Sequence, residues 1–237
     1  MRKIKGLSSY LKNQVRKNLA KAALCALLFT VVFSFLINRI LTALQITILE
    51  EISFVFLVVP IAAFYFYLRK YHLYNGGWQG EKEVAALLSR TLSDDYYLLN
   101  DFYMQSGGDI DHIVLGPNGV FVLETKNWSG VISCRGDEWQ RSGKRNFSGS
   151  PSRQIKRNAA KIQYLIDNAS KLRHLGVLVE SAVVFTNQHA SIQINNPTVT
   201  ILKLPQLPSY ITTYKRLPNF SREQLEAIAR EIVNQKR

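Results

Sequence analysis

Two long apolar runs occupy the first third of the chain. Residues 22–37 are sixteen positions without a charge, and residues 52–68 are seventeen. A membrane-spanning helix needs about 20 apolar residues, with a lower limit near 17. The first run also reaches this range if Arg39 extends towards the lipid headgroups. The pattern therefore predicts two transmembrane helices within residues 22–70.

Basic residues flank these two runs. Seven Lys or Arg precede the first run, and Arg69 and Lys70 follow the second. Because cytoplasmic flanks of membrane proteins are rich in Lys and Arg, we expect both ends in the cytoplasm. Residues 1–21 would then be a basic cytoplasmic segment of a multi-pass cell-membrane protein, with the lipid bilayer as a partner. A buried helical hairpin of a soluble protein is the alternative.

A different pattern follows Gly76 and Gly77, which indicate a domain boundary. Helical patterns occupy residues 81–92, 151–168 and 221–233. Strand patterns occupy residues 96–99, 110–115, 120–126, 131–134, the region around Trp139, 177–185 and 198–202. Ser221 and Gln224 fit a capping box at the start of the last helix. This order predicts an α/β (α+β) domain over residues 77–237, with a mixed sheet flanked by helices.

Charge is distributed unevenly between these two parts. Of the formal net charge of +13, residues 1–77 contribute +8, from ten Lys or Arg and two Glu. A membrane-flanking segment would explain most of this charge, so the high pI alone does not indicate nucleic-acid binding. The two cysteines, Cys25 and Cys134, are far apart and form neither a disulfide framework nor a metal-ligand spacing.

The hairpin over residues 110–126 is the most informative stretch. The turn Gly116-Pro117-Asn118-Gly119 connects two apolar strands, which sets Leu115 opposite Val120. Paired positions then place Asp111 directly opposite Glu124, with Cβ atoms about 5 Å apart. Because strand side chains alternate between faces, Lys126 projects from the same face as Glu124. An Asp, a Glu and a Lys are thus predicted to converge.

This convergence suggests metal chemistry. Two adjacent carboxylates repel each other unless a cation joins them or one is protonated. One or two carboxylates with waters and a substrate phosphate suit Mg²⁺, so Asp111 and Glu124 are predicted ligands of Mg²⁺ or Mn²⁺. Lys126 would position the attacking water or stabilise charge on the phosphate. A carboxylate pair satisfied by Lys126 and the backbone at a strand end is an equally compatible alternative.

The same residues resemble the nuclease-related domain (NERD) family, within the restriction-endonuclease-like PD-(D/E)xK superfamily. The resembling motifs are Gly77-Trp78-Gln79-Gly80-Glu81, Ile110-Asp111-His112, residues 119–130, Trp139 and Pro151-Ser152-Arg153-Gln154. The resemblance covers about residues 77–190 and implies an αβββαβ core. It also implies that Asp111 and Glu124 bind a divalent metal ion and that Lys126 assists catalysis. Glu81 and Gln154 match further site positions on the first and second helices.

Three side chains near the hairpin leave alternatives open. Asp109 stands where family members usually have Gln, and strand pairing places it opposite Lys126. His112 lies on the strand face opposite Asp111, where a packed histidine is favoured over a metal ligand. Trp128 could stack on a base, but core packing is the favoured role.

A basic region follows the hairpin. Residues 126–173 hold eleven Lys or Arg against three acids. The candidate nucleic-acid-binding residues are Lys144, Arg145, Arg153, Lys156 and Arg157. A phosphate-binding track fits this charge as well as a solvated helix face or one against anionic lipid does. We therefore expect a membrane-anchored, Mg²⁺-dependent nuclease (a hydrolase) of DNA or RNA. A non-catalytic nucleic-acid-binding or protein-interaction module on the same fold is the alternative.

Overall fold

The computed structural model describes residues 1–4, 10–42, 48–104, 108–142, 149–214 and 219–234. These residues divide into two compact units. The first is Ser9–Trp78, and the second combines Met1–Ser8 with Gln79–Arg237. The predicted site residues Lys144 and Arg145 lie outside the described residues.

Two long helices account for the first unit. Helix α1 spans Tyr10–Thr42, and helix α2 spans Ile48–Thr91. Helix α2 continues through Gly76 and Gly77, although the two units meet in sequence just after them, at Trp78. Glycine costs a helix interior only about 1 kcal/mol relative to alanine, so the two glycines do not end the helix.

The prediction of a membrane anchor is wrong. Within the described residues, no helix combines the length and apolar character that crossing a bilayer requires. The charge-free run between Lys21 and Arg39 only reaches the spanning minimum of about 17 when the polar Asn38 is included. The second run only reaches that minimum, and Pro60 lies inside it. The multi-pass placement with cytoplasmic ends is therefore corrected, and a lipid partner is not shown.

The second unit contains most of the strands. These are β1 (Arg2–Ile4), β2 (Tyr97–Tyr103), β3 (Asp109–Gly116), β4 (Gly119–Lys126), β5 (Gly130–Arg135), β6 (Glu138–Arg141), β7 (Val179–Phe185), β8 (Ala190–Asn195) and β9 (Thr200–Lys203). Its further helices are α3 (Pro151–Asn168), α4 (Leu207–Thr213) and α5 (Arg222–Asn234). Within the described residues, one sheet has the order β1-β2-β3-β4-β7-β9 and a smaller one the order β6-β5-β8.

The larger sheet is mixed and is covered on both faces, as predicted. One face packs against the last turns of α2, through Val84 and Leu88, and against α4. The other face packs against α3 and α5 and the small sheet. Strand β4 is central, and its residues Val120, Phe121, Val122 and Leu123 are fully buried. Burial on both faces explains why β4 is continuously apolar instead of alternating.

The predicted register of the hairpin is confirmed. Leu115 pairs with Val120 and His112 with Leu123 in the antiparallel β3–β4 ladder. On its other side β4 runs parallel to β7, which sets Lys126 beside Phe185. A parallel neighbour requires a long crossover, supplied here by β5, β6 and α3. The crossover leaves from the end of β4, so Glu124 and Lys126 lie at the edge where α3 begins.

The first residues of α3 and α5 agree with the capping signals in the sequence. Three other elements have weaker sequence signals. Helix α3 begins at Pro151 as predicted, and the Ser150 side chain accepts a hydrogen bond from the backbone N–H of Arg153. In the capping box of α5, Ser221 N–H donates to the Gln224 side chain over 2.8 Å. Strands β1 and β8 and helix α4 were not predicted. Strand β1 has only three residues, and β8 and α4 are short and mostly half-buried or exposed, so their hydrophobic pattern is weak.

Candidate active site

The end of the β3–β4 ladder brings together three predicted site residues. Beyond the His112–Leu123 pair, the backbone N–H of Thr125 donates to Asp111 Oδ2 over 2.6 Å. On β4, Lys126 Nζ forms an ion pair with Oε1 of Glu124, which lies two residues before it. Glu124 is 2% exposed and Lys126 is 18% exposed. The hairpin therefore places a buried carboxylate, its lysine partner and a second carboxylate within one small region.

Helix α2 brings Glu81 to this region because Gly80 permits close contact. A Cβ added to Gly80 would lie 2.8 Å from Thr186 Oγ1 and 3.1 Å from Asn127 Cβ. Contacts that short require the neighbours to move, so only glycine lets the helix pack this closely on the ends of β4 and β7. The next residue, Glu81, interacts electrostatically with Asp111 and Glu124. Glu81 therefore lies within electrostatic reach of both hairpin carboxylates.

Sequence reasoning missed a fourth carboxylate, that of Asp101. The flanking pairs Asn100–His112 and Phe102–Ile110 place Asp101 opposite Asp111 across the β2–β3 ladder. Its side chain is hydrogen-bonded to Glu81. The sequence does contain a signal, since Asp101 is an acid within a largely apolar strand. Finding it required the β2–β3 register, which no sharp turn motif defines.

The pKa values of these carboxyl groups are raised by burial and by their mutual repulsion. Burial, reinforced by the charges of Asp111 and Asp101, raises the pKa of Glu81 to about 10. Burial and the neighbouring Glu124 likewise raise the pKa of Asp111 well above its usual value. Burial raises the pKa of Glu124 as well, against the opposing effect of Lys126. Several carboxylates close together in a poorly solvated place are the expected cause.

Lys126 remains a cation at neutral pH. Burial acts to lower its pKa, but the carboxylates of Glu124 and Asp111 outweigh burial, so the pKa lies above its usual value. Its Nζ also lies 5.7 Å from the ring centroid of Trp128. Trp128 packs edge-on against Trp139, whose indole N–H donates to Ser152 Oγ over 2.8 Å. This aromatic pair connects the lysine to the first turn of α3.

The donor atoms fit a hard divalent cation. Glu124 Oε2 is buried and, within the described part of the chain, has no hydrogen-bond partner. Such an oxygen is costly unless a cation or donor meets it. Among the described residues, no three His, Cys, Asp or Glu side chains are grouped closely enough to hold a metal ion by themselves. Two carboxylates, Asp111 and Glu124, are nevertheless the donor number that Mg²⁺ commonly takes from protein.

The predicted residues of α3 are distributed over its surface. Gln154 lies half-buried in the first turn, and no hydrogen bond in the described structure joins its side chain to the carboxylates. Arg153 and Arg157 are exposed. Lys156 Nζ is instead ion-paired with Asp137 Oδ2 over 2.6 Å and hydrogen-bonded to Thr198. The helix therefore presents Arg153 and Arg157 to solvent, while a carboxylate neutralises Lys156.

His112 is a packed histidine in this structure. Its Nδ1 lies 2.7 Å from Asn100 Oδ1, and the residue is 1% exposed. Burial lowers the pKa of the imidazole to about 3, so the ring is neutral at physiological pH. The surroundings are apolar side chains of the α2 face, such as Val114 and Leu123. This environment agrees with the packing role that the sequence favoured.

Comparisons with known proteins cover the same segment. Residues 76–186 match the family model NERD, described as nuclease-related domain. An uncharacterized protein of Bacillus anthracis is 35% identical over 99 residues, which are 38% of this chain and 47% of that protein. The chain thus spans about half the length of this curated relative. No solved structure matches the chain. The family match supports a nuclease-related domain, which suggests a nuclease-related function and interaction with nucleic acid.

Proposed function

We propose that the second unit is a metal-dependent nuclease that hydrolyses phosphodiester bonds in DNA, with RNA as the other substrate class. One observation carries this proposal. Asp111, Glu124 and Lys126 converge at the end of one hairpin, and a buried oxygen of Glu124 has no hydrogen-bond partner in the described structure. A metal-assisted phosphodiesterase uses carboxylate oxygens, including one free to contact the ion, to hold the metal. It also uses a positive side chain, here Lys126, to stabilise charge on the phosphate. The match to a nuclease-related domain over these residues adds support.

Each side chain has a defined role in this proposal. Asp111 and Glu124 would hold Mg²⁺ or Mn²⁺, which when bound supplies Lewis-acid chemistry and lowers the pKa of a water molecule. The Thr125 N–H fixes the direction of the Asp111 carboxylate. Glu81 of α2 would support these two ligands from outside the metal-binding pair, through its electrostatic interaction with both.

Lys126 acts in this proposal as a fixed positive charge. Its raised pKa makes it a poor acceptor for the proton of the attacking water. A protonated ammonium group is instead suited to stabilise negative charge that develops on the phosphate. Its contacts with Glu124 and Trp128 hold it in position before substrate arrives.

Helix α3 would hold the nucleic-acid backbone. Arg153 and Arg157 are exposed on it and would contact phosphates, as would Lys144 and Arg145 in the preceding segment. Gln154, in the first turn, would orient the scissile phosphate by hydrogen bonding. Lys156 is the weakest candidate of the set because Asp137 already neutralises it.

A non-catalytic nucleic-acid-binding module is the second candidate. The ion pair between Lys126 and Glu124 favours it, because a buried pair can satisfy itself without a metal ion. The two candidates differ in what a metal ion does. The nuclease is stabilised by the ion and needs it to cleave, whereas the module binds nucleic acid in EDTA equally well.

The test uses the full chain with single-stranded DNA, double-stranded DNA and RNA, each in Mg²⁺, Mn²⁺ or EDTA. We expect cleavage only with metal, and a metal-induced rise in the thermal unfolding midpoint. Asp111→Asn and Glu124→Gln should lose both effects. Lys126→Met should lower the rate at least about 100-fold while keeping the metal-induced rise, because lysine stabilises charge without binding the ion. Glu138→Gln removes an exposed carboxylate of β6 and serves as the matched control.

Two outcomes would contradict the nuclease. Intact substrates under every condition, together with salt-sensitive binding, would establish the binding module. Cleavage that persists in both Asp111→Asn and Lys126→Met would show that this site does not catalyse the reaction.

A further inference from the structure

Asp101 has an unusual backbone conformation inside a paired strand. Its φ is +52°, and in the described part of the chain Asn196 is the other non-glycine residue with a positive φ. A left-handed backbone costs most side-chain-bearing residues roughly 1–2 kcal/mol, and aspartate and asparagine less. The strand pairing is intact on both sides, through Asn100–His112 and Phe102–Ile110. The departure from strand geometry is therefore confined to this one residue.

At Asp101, the side chains of β2 change the face of the sheet from which they project. Leu99 and Phe102 are three positions apart, and residues with odd spacing normally face opposite sides of a sheet. Both nevertheless belong to the core cluster that contains α3 and α5. In β3 the same reversal separates Ile110 from Ile113, which also share that cluster. The sheet thus changes its facing where Asp101 and Asp111 lie opposite each other.

The side chain of Asp101 has another carboxyl group as its partner. Its side chain is hydrogen-bonded to that of Glu81, and Glu81 in turn interacts with Asp111 and Glu124. Placing a fourth acid here is electrostatically unfavourable because like charges repel. Asparagine or glycine would adopt the same backbone conformation without that charge. Asp101 therefore combines an unfavourable backbone conformation with an unfavourable charge, and its side chain contacts the site residue Glu81. This combination points to a functional role.

We propose that Asp101 is a positioning residue that holds Glu81 towards Asp111 and Glu124 for the phosphodiester reaction. This inference rests on the proposed function and adds a residue to it. The buried Oε2 of Glu124, which has no hydrogen-bond partner in the described structure, is an oxygen that a cation bound at the site would contact. Asp101 acts through Glu81, so removing either carboxylate should disturb the same step.

The test compares Asp101→Asn, Asp101→Gly, Glu81→Gln and the double variant Glu81→Gln/Asp101→Asn in the full chain. Asparagine preserves the shape and tolerates the left-handed backbone, and glycine relieves it. Three quantities are measured: the unfolding midpoint in EDTA, the Mn²⁺ concentration that gives half of the midpoint rise, and kcat and KM for an oligonucleotide. Glu138→Gln is again the control for removal of an exposed carboxylate.

We expect both Asp101 variants to be at least as stable as the wild type in EDTA. Each should need about 10 times more Mn²⁺, the lower end of the loss seen when a residue that supports a metal site from outside its ligands is removed. The variants should lose kcat with KM unchanged. The double variant should be no worse than Glu81→Gln alone, because both changes act on one interaction.

The outcomes separate this inference from the proposed function. An active wild type whose Asp101→Asn variant keeps its Mn²⁺ requirement and kcat would overturn the inference alone. Additive effects of Glu81→Gln and Asp101→Asn would also overturn it, because Asp101 would then not act through Glu81. A wild type that neither cleaves nor responds to Mn²⁺ would overturn the proposed function and the inference with it.

Discussion

The backbone N–H of Thr125 donates to Asp111 Oδ2 over 2.6 Å, just past the last paired residues of β3 and β4. A side-chain carboxylate thus serves as the acceptor where the strand ladder ends. The bond fixes the direction of Asp111 through the backbone of the strand that carries Glu124 and Lys126. Both carboxylates and the lysine are consequently held by one hairpin.

Gly80 sets the distance between α2 and the sheet, so Gly80→Ala should destabilise the protein. Alanine favours a helix by about 1 kcal/mol over glycine. The added methyl group would lie 2.8 Å from Thr186 Oγ1, however, and overpacking of this kind costs about 1–3 kcal/mol. We expect a lower unfolding midpoint and a weaker Mn²⁺-induced rise, measured by thermal unfolding.

A second change tests the steric cause. Thr186→Ala removes the hydroxyl that the methyl group would meet, so the double variant Gly80→Ala/Thr186→Ala should recover part of the lost stability. A single Gly80→Ala variant as stable as the wild type would show that the helix has room to move.

Stability of the metal-free protein should fall as pH rises from 7 to 9. The pKa of Glu81 is about 10 in the folded chain and ordinarily 4.5, so raising the pH deprotonates the unfolded chain first. Stability is therefore lost progressively above the unfolded value, up to the folded one. His112 acts in the opposite direction, because its pKa falls from 6.5 to about 3 on folding and its contribution is lost below pH 6.5. Between pH 7 and 9 the imidazole of His112 no longer contributes, and the decline comes from Glu81 together with Asp111, whose pKa burial and Glu124 also raise.

Unfolding in EDTA at pH 7, 8 and 9 measures this effect. The wild-type midpoint should fall by at least about 2–4 °C, the shift that 1 kcal/mol causes in a domain of this size. Glu81→Gln should remove part of the decline. Glu83→Gln, an exposed acid two positions along α2, should leave it unchanged. Equal slopes in wild type and Glu81→Gln would contradict the assignment of this decline to Glu81.

Neighbouring basic residues of α3 should differ in their effect on nucleic-acid binding. Arg157 is exposed, whereas Lys156 is ion-paired with Asp137 over 2.6 Å. Arg157→Ala should weaken DNA binding in EDTA and reduce the slope of log affinity against log salt by about 1. Lys156→Ala should change that slope less and lower stability by about 0.2–1 kcal/mol, as for a partly exposed ion pair. Equal salt slopes for the two variants would show that the Asp137 pairing does not matter.

Sequence patterns predicted the hairpin well because its determinants are local. The turn over residues 116–119 fixes the register, and the register fixes Asp111 relative to Glu124. Asp101 escaped prediction because its position depends on pairing with a strand beyond a segment without a sharp turn signal. The ion pair of Lys156 with Asp137 joins residues nineteen positions apart, and no local periodicity encodes it.

The apolar runs of α1 and α2 show the opposite failure. Their composition approaches that of a membrane span. Whether either run is long enough to cross a bilayer depended on one or two residues, near Arg39 and Pro60. A count so close to a threshold carries little information. The hairpin prediction succeeded because the turn, the apolar pattern and the strand pairing agreed, whereas the membrane prediction depended on run lengths at the limit, and its basic flanks indicate only orientation.

The contact between Lys126 and Trp128 has a practical consequence. An indole whose ring centroid lies 5.7 Å from a charged ammonium group emits light in the electric field of that charge. Any ion or phosphate that neutralises or displaces the ammonium changes this field, and the emission colour shifts with it. We therefore expect the tryptophan emission, to which Trp78 and Trp139 also contribute, to report occupancy of the site without any added dye.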